Sequence, residues 1–169
     1  MSCGETSRMP EVIANTSPLQ YLFQLGLLDL LPELYAEVVV PEGVILELRS
    51  GVERGVSLPD LDSLSWLRIR KPRSEAVLPL AAGMGAGERQ VLALALESKD
   101  PLIILDDSLA RRFAQRLSIP LTGTLGLLLK AKQRRRIESV KPYLDRLESL
   151  GFRLDRSTRS SVLTLAQEN

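Results

Sequence analysis

The sequence predicts an α/β fold: a three-layer α/β/α sandwich with a short central parallel sheet and a C-terminal helical appendage. Two observations predict it. Short apolar runs, of the kind that form strands buried on both faces of a parallel sheet, recur along the chain, most clearly over 102–105. Amphipathic segments of helical length lie between them, and this alternation favours right-handed βαβ crossovers with helices on both sides of the sheet.

The elements of the first half are bounded by residues that favour helix starts and chain turns. Ser17 followed by Pro18 suits a helix start, with a cap and then proline at the first helical position, and Gly26 suits a helix end. Pro41 ends the second apolar run. In order, we predict a strand over 12–14, a helix from Ser17 to Gly26, a helix over 27–34, a buried strand over 36–40 and a helix over 42–48.

The second half begins with a looser stretch and then resumes the alternation. Residues 49–87 are rich in Gly, Pro, Ser and charge, and only 66–70 alternate as an edge strand does. The pattern changes again after Arg136. In order, we predict helix 88–99, strand 102–105, helix 108–117, a short strand near 119–121, a helix after the turn 122–126, helix 140–150 ending at Gly151, an extended piece over 152–154 and helix 157–167.

Length and composition indicate one domain. A chain of 169 residues with 44% hydrophobic and 25% charged residues is typical of a single globular domain. We expect a core over about 11–130 and a helical extension over about 138–169. The apolar positions of that extension could cover the sheet or form a dimer face; they are Val140, Leu144, Leu147, Val162, Leu163 and Leu165.

Several functional classes are excluded by composition. The net charge of +1 excludes a strongly basic chain, so any contact with nucleic acid must come from local patches. The chain has no His and one Cys, Cys3, which excludes His triads, zinc–His sites and an intramolecular disulfide framework. Any metal must be held largely by oxygen, which favours Mg²⁺ or Mn²⁺. Neither a transmembrane span nor a signal peptide is apparent, so we expect a cytoplasmic protein with no membrane contact.

Polar and acidic residues lie at four points: after two of the predicted strands, within one predicted helix and at the start of another. Asp106 and Asp107 directly follow the buried strand, and Asn15 follows the first strand. Glu47 lies late in the helix after the second strand, and Glu88 begins the helix after the glycine-rich stretch. Ligand sites in parallel sheets form beyond the carboxyl ends of the strands, so one crevice could gather these residues.

Each of these residues also has an ordinary structural explanation. Glu88 would stabilise a helix N-terminus through the macrodipole, and Glu47 would suit a solvated helix face. Asp107 or Ser108 could cap the following helix, and Asn15 suits a turn. Their order along the chain is what favours a shared site.

That order resembles the PIN-domain nucleases (named for the PilT N-terminus), which include the toxins of bacterial and archaeal toxin–antitoxin pairs. The resemblance runs from Val12 to about Gly126. It is carried by ANTSPL at 14–19, VPEGV at 40–44 with Glu47, Gly87-Glu88 with LALA at 92–95, and Leu105-Asp106-Asp107. The ending, with TGTLG at 122–126, Lys141-Pro142 and GFRL at 151–154, resembles one prokaryotic PIN-like subfamily.

The resemblance implies that three or four acids hold one or two divalent cations, Mg²⁺ or Mn²⁺, and that RNA is cut by hydrolysis. In the family pattern, Asn15 takes the place of the first-strand Asp, and Ser17 takes the place of the small polar residue beside it. Glu47, Glu88 and either Asp106 or Asp107 take the places of the remaining acids. It also implies a small antitoxin protein as partner and a homodimer.

Asn15 departs from the family pattern, which has Asp at the end of the first strand. An amide oxygen can still coordinate a cation, but it brings no charge and its NH₂ cannot ligate. At ~4 Å and an effective dielectric constant near 20, a full charge pair is worth roughly 4 kcal/mol, an upper bound for the loss. We therefore expect weaker metal affinity and slow catalysis.

RNA binding requires positive charge near the acids. Arg111 follows Asp107 on a predicted helix, and the basic run over 130–136 could track a phosphate backbone or form a solvated helix end. Thr124 and the amides that open the next helix could hold a phosphate. Our candidate substrate-binding residues are Ser17, Arg111 and Thr124.

Three functions are compatible with these observations. The first is a toxin-like, metal-dependent endoribonuclease. The second is a catalytically weakened module that binds RNA or a partner protein without cleavage, because Asn15 has disabled the metal site. The third, more distant, is a phosphoryl-transfer or receiver-type α/β protein using the acid pair. That function requires the pair to follow an early strand and a second Asp to follow a central one, which is not the arrangement in this sequence.

Overall fold

The computed structural model describes residues 9–75 and 83–168, and these contain a five-stranded parallel sheet. The strands are β1 (Glu11–Ala14), β2 (Val38–Pro41), β3 (Leu67–Arg70), β4 (Pro101–Ile104) and β5 (Leu121–Thr122). Their order across the sheet is β3-β2-β1-β4-β5, and every neighbouring pair is parallel. The chain therefore builds outward from β1 to β3, returns to the other side of β1 as β4, and continues outward to β5.

Eight α-helices lie in the described residues and flank this sheet. They are α1 (Thr16–Gln24), α2 (Leu30–Tyr35), α3 (Glu42–Glu53), α4 (Ala86–Glu97), α5 (Ser108–Arg116), α6 (Thr124–Gln133), α7 (Lys141–Ser149) and α8 (Arg156–Leu165). One 3₁₀ turn, Leu61–Ser63, precedes β3. The predicted α/β/α sandwich with a parallel sheet is confirmed.

The central strands are short but buried on both faces. Val38 and Val40 of β2 and Ile103 and Ile104 of β4 have no exposed surface, and Ile13 of β1 is equally enclosed. Each such side chain contributes roughly 1.5–3 kcal/mol when it is fully buried. The predicted edge strand is also confirmed, since β3 lies at one end of the sheet. The strand ends near the site are therefore anchored in the core.

The prediction that Ser17 caps the first helix is wrong. Asn15 occupies the N-cap position with an extended backbone, and Pro18 is the third residue of α1. Proline is tolerated there because the first turn of a helix has no partners for its N–H groups. The end was predicted correctly: Gly26, just after the helix, has a φ of 73°, a conformation that favours glycine.

Several other boundaries differ from the predictions. The helix expected over 27–34 begins only at Leu30, the helix expected over 42–48 continues to Glu53, and α6 begins inside the predicted turn at Thr124. Helix ends depend on capping and packing, which a local pattern does not contain. The longer α3 matters most, because it places Glu47 in the middle of a helix.

The C-terminal helices join the main core. Val140, Leu144 and Leu147 around α7 are fully buried, and Val162 of α8 is nearly so. Of the six positions expected to cover the sheet or form a dimer face, these four therefore pack in the core, where α8 contacts α6. Leu165 of α8 is 70% exposed.

No helix in residues 9–75 or 83–168 is long and apolar enough to cross a membrane. Residues 1–8, which include Cys3, and residues 76–82 of the looser stretch lie outside the described residues.

Candidate functional site

The candidate site lies at the carboxyl ends of β1 and β4, where the order of the strands across the sheet reverses direction. β1 and β4 are neighbours, with Ala14 paired to Ile104, yet the chain leaves them towards opposite edges of the sheet. A crevice forms at such a point beyond the carboxyl ends of the strands. Asn15 follows β1 directly, and its backbone N–H donates to the Ile104 carbonyl at 3.1 Å. Asp106 follows β4 after one residue, so both lie at the same edge.

Asn15 has a buried oxygen without a partner. The residue is 3% exposed, and its Oδ1 accepts no hydrogen bond from any described residue. Leaving a buried acceptor unsatisfied costs about 1–3 kcal/mol. A cation coordinated by this oxygen would remove that cost.

Glu47 is held from two sides by other elements. The Thr16 hydroxyl, in the first turn of α1, donates to Glu47 Oε2 at 2.6 Å. The backbone N–H of Gly87, at the start of α4, donates to Glu47 Oε1 at 3.1 Å. Glu47 is half-buried, which excludes the solvated helix face as its environment. Its carboxylate therefore bridges the starts of two helices.

Glu88 lies in the first turn of α4, one residue beyond Gly87. Its Oε2 accepts the Gly85 N–H at 2.8 Å, which caps the helix. Burial raises the pKa of Glu88 above its usual value, the Gly85 hydrogen bond opposes this, and the charges of Asp107 and Glu47 raise the pKa further. The three carboxylates therefore share one negatively charged region.

The two adjacent aspartates have different environments. Asp106 accepts the Thr124 N–H at 2.8 Å on Oδ1 and the Thr124 hydroxyl at 2.6 Å on Oδ2. Burial raises the pKa of Asp106, against the Thr124 hydrogen bonds and the nearby positive charge of Arg111. Asp107 is exposed, and its Oδ2 accepts the Ala110 N–H at 2.9 Å as the N-cap of α5. Of the two aspartates, only Asp107 has a carboxylate oxygen that accepts no hydrogen bond from the described residues.

Asp106 and Arg111 pack tightly against the turn before α6. Arg111 Nη1 donates to the Leu105 carbonyl at 2.7 Å. A Cβ added to Gly123 would lie 2.7 Å from Asp106 Oδ1 and 2.8 Å from Arg111 Nη1, so a larger residue there would displace both side chains. Thr124 has no exposed surface, and its donors serve Asp106. Its side chain therefore supports Asp106 instead of being presented to a phosphate.

Most of the basic run makes contacts within the protein. Lys130 donates to the Tyr35 hydroxyl at 2.9 Å and lies 5.2 Å from that ring's centroid. Lys132 pairs with Glu168 at 3.0 Å, and Arg136 pairs with Glu33. Arg134 and Arg135 are exposed. The run mainly joins α6 to neighbouring parts of the protein, which favours a structural role at the helix end over a track for a phosphate backbone.

Sequence reasoning missed Thr16 and Gly87 as parts of the site. The family resemblance points to Ser17 as the small polar residue beside Asn15, whereas the Thr16 hydroxyl makes the contact with Glu47. The glycine spacing before Glu88 was visible, but its contact with Glu47 spans 40 residues of sequence. Local patterns carry no signal for such a pairing.

The site residues fit an oxygen-preferring divalent cation in their donor chemistry. Carboxylate and amide oxygens are the ligands such cations take, and the orphaned Asn15 oxygen is one of them. In the described ranges, no three acidic, His or Cys side chains are gathered closely enough to hold an ion as they stand. The residues that could hold it are Asn15, Glu47, Glu88 and Asp107.

Comparison with known families yields one match. A family model described as a PIN domain matches residues 11–168, which include the sheet and the helices α7 and α8. Comparisons with curated proteins and with solved structures found no match.

Proposed function

Since the chain belongs to the PIN-domain family, whose members are generally nucleases, we propose that it is a divalent-metal-dependent endoribonuclease. The observation that supports this most is the unpartnered Asn15 oxygen, buried at the point where the sheet changes direction. PIN domains typically use divalent metals, and we propose Mg²⁺ or Mn²⁺ for this chain.

The proposed cation ligands are Asn15, Glu47, Glu88 and Asp107. Asp107 is preferred over Asp106 because it is exposed and its charge reaches Glu88. The proposed role of Asp106 is to fix the turn before α6 beside the site, because Thr124 at the start of α6 donates to both of its oxygens. Three carboxylates and one amide oxygen are enough for one cation.

The chemistry proposed for this site is hydrolysis of an RNA phosphodiester bond. When bound, the cation supplies a water of lowered pKa and neutralises charge that develops on the phosphate. Glu47 is oriented by two hydrogen bonds, one on each carboxylate oxygen. Arg111 gives one N–H to Leu105 and keeps further guanidinium donors for a phosphate. Ser17, half-buried in the first turn of α1, is the other proposed substrate contact.

The test is cleavage of single-stranded RNA in Mn²⁺ or Mg²⁺, with chelator as a control. We expect cleavage that stops with chelator and falls about 100-fold or more in Glu47→Gln, the order of effect of removing a charge-stabilising group. Glu53→Gln is the matched control, because it makes the same change in the same helix at an exposed glutamate outside the candidate site. Cleavage that survives both chelator and Glu47→Gln would overturn the proposal.

A second candidate function is binding of RNA or a partner protein without cleavage. It is favoured by the absence of charge at Asn15 and by the lack of three gathered acids in the described residues. It predicts RNA retention that is insensitive to chelator, with no product formed in either metal.

The toxin role, a small antitoxin partner and a homodimer are proposals that rest on the family resemblance. Exposed Leu165 on α8 is the strongest apolar contribution the C-terminal helices could make to a dimer face. Growth arrest on expression tests the toxin role. Light scattering tests the dimer, which has twice the 18.7 kDa mass of the chain.

A further inference from the structure

The starts of α3 and α4 exchange hydrogen bonds through two glycines. The Gly43 N–H of α3 donates to Gln90 Oε1 of α4 at 2.7 Å. In return, the Gly87 N–H of α4 donates to Glu47 Oε1 of α3 at 3.1 Å. Each glycine is the second residue of its helix, where the N–H has no partner within the helix. Each helix therefore satisfies a free amide of the other.

A Cβ at either position would force the opposite side chain to shift. A Cβ on Gly87 would lie 2.7 Å from Glu47 Oε1 and 3.1 Å from Glu47 Cδ. A Cβ on Gly43 would lie 2.8 Å from Gln90 Oε1. The two contacts match in the helix position of the glycine and in the distance from its added Cβ to the nearest side-chain oxygen. They differ in chemistry, because Gly87 holds an acidic side chain and Gly43 holds a neutral amide.

We propose that Gly87 and Thr16 are positioning residues that clamp Glu47 in the orientation in which it binds the cation, an inference that rests on the proposed function. Thr16 holds Oε2 at 2.6 Å and Gly87 holds Oε1 at 3.1 Å, so neither oxygen is left to rotate freely. The clamp also keeps Glu47 beside Glu88, the residue after Gly87. The positive end of the α4 dipole lowers the cost of holding two carboxylates there.

The first test compares Mn²⁺ affinity in Gly87→Ala and Gly43→Ala by calorimetry. Losing a group that orients a ligand typically lowers metal affinity about 10–100-fold, and we expect that loss in Gly87→Ala. Gly43→Ala adds the same methyl at the same helix position, so it shares any effect on helix packing, and we expect it to bind Mn²⁺ like the wild type. An equal loss in both variants, or none in Gly87→Ala, would overturn the clamp.

The second test does not depend on the glycine variant folding. Thr16→Val keeps the shape of the side chain and removes its hydroxyl, whereas Thr16→Ser keeps the hydroxyl. We expect Mn²⁺ affinity to fall in Thr16→Val and to be retained in Thr16→Ser. Wild-type affinity in Thr16→Val overturns the clamp alone. A wild-type protein that binds no Mn²⁺ overturns the proposed function and the clamp with it.

Discussion

Asn15 is the residue on which the proposed cation binding depends most. It is buried, its oxygen has no hydrogen-bond partner in the described residues, and it adjoins Thr16, which holds Glu47. An amide there provides a ligand without adding to the repulsion among nearby carboxylates. The same choice lowers the attraction for a cation, so metal-free stability and metal affinity oppose each other at this position.

Asn15→Asp should shift that balance. A buried fourth carboxylate should destabilise the metal-free protein, by about 1–3 kcal/mol or more. In return it should tighten Mn²⁺ binding about 10-fold, well within the roughly 4 kcal/mol bound for a full charge pair. Thermal unfolding with and without Mn²⁺, together with calorimetry, measures both effects. Identical Mn²⁺ affinity in the two proteins would contradict the assignment of Asn15.

The adjacent aspartates should separate stability from metal binding. Asp106→Asn leaves one buried Thr124 donor facing an NH₂ group, which should cost about 1–3 kcal/mol of unfolding free energy. Asp107→Asn keeps a good cap on α5, so stability should change little while Mn²⁺ affinity falls. Urea unfolding and Mn²⁺ titration of both variants check this. If Asp106→Asn lost Mn²⁺ affinity at unchanged stability, the cation ligand would be Asp106 instead of Asp107.

At the scale of helices and strands, Glu168 ties the end of α8 to the segment between α6 and α7. Its carboxylate accepts hydrogen bonds from the Ser139 hydroxyl and the Val140 N–H, and it pairs with Lys132 on α6. Although burial opposes ionisation, these bonds lower the pKa of Glu168 from 4.5 to about 2. The basic run at the end of α6 thus contributes to packing of the C-terminal helices.

These contacts of Glu168 should make the protein sensitive to acid. Because the pKa of Glu168 is depressed on folding, its stabilisation is complete above pH 4.5 and is lost as the pH falls towards about 2. Glu168→Gln should lower the unfolding free energy at pH 7 by about 1–2 kcal/mol, discounted for partial solvent screening. Urea unfolding between pH 7 and 2.5 measures the difference, which should shrink with acid. A difference independent of pH would argue against an ionised Glu168 carboxylate as the source of this stabilisation.

The elements were predictable from local patterns, and the contacts between them were not. Apolar runs such as 102–105 identify buried strands because a strand covered on both faces needs apolar residues at every position. The contacts of Glu47 with Thr16 and Gly87 span 31 and 40 residues of sequence, so no window reveals them. The distinction between Asp106 and Asp107 likewise needed the position of Thr124, which a turn prediction placed outside the helix.

At the scale of the whole molecule, the strand order determines where the acids meet. Asn15 and Asp106 are 91 positions apart by number, yet β1 and β4 are hydrogen-bonded neighbours at the centre of the sheet. The helices α3 and α4 pack against each other and carry Glu47 and Glu88 to the same edge. A parallel sheet with this order thus gathers residues from both halves of the chain.

We propose that this edge of the sheet binds a divalent cation through Asn15, Glu47, Glu88 and Asp107. Anomalous diffraction from a crystal soaked in Mn²⁺ tests it most directly, because it locates the ion and its ligands together. We predict one anomalous peak contacted by Asn15 Oδ1 and by at least two of the three carboxylates, with Asp106 still bonded to Thr124. A peak at Asp106 alone, or no peak at this edge in a crystal that diffracts well, would contradict the claim.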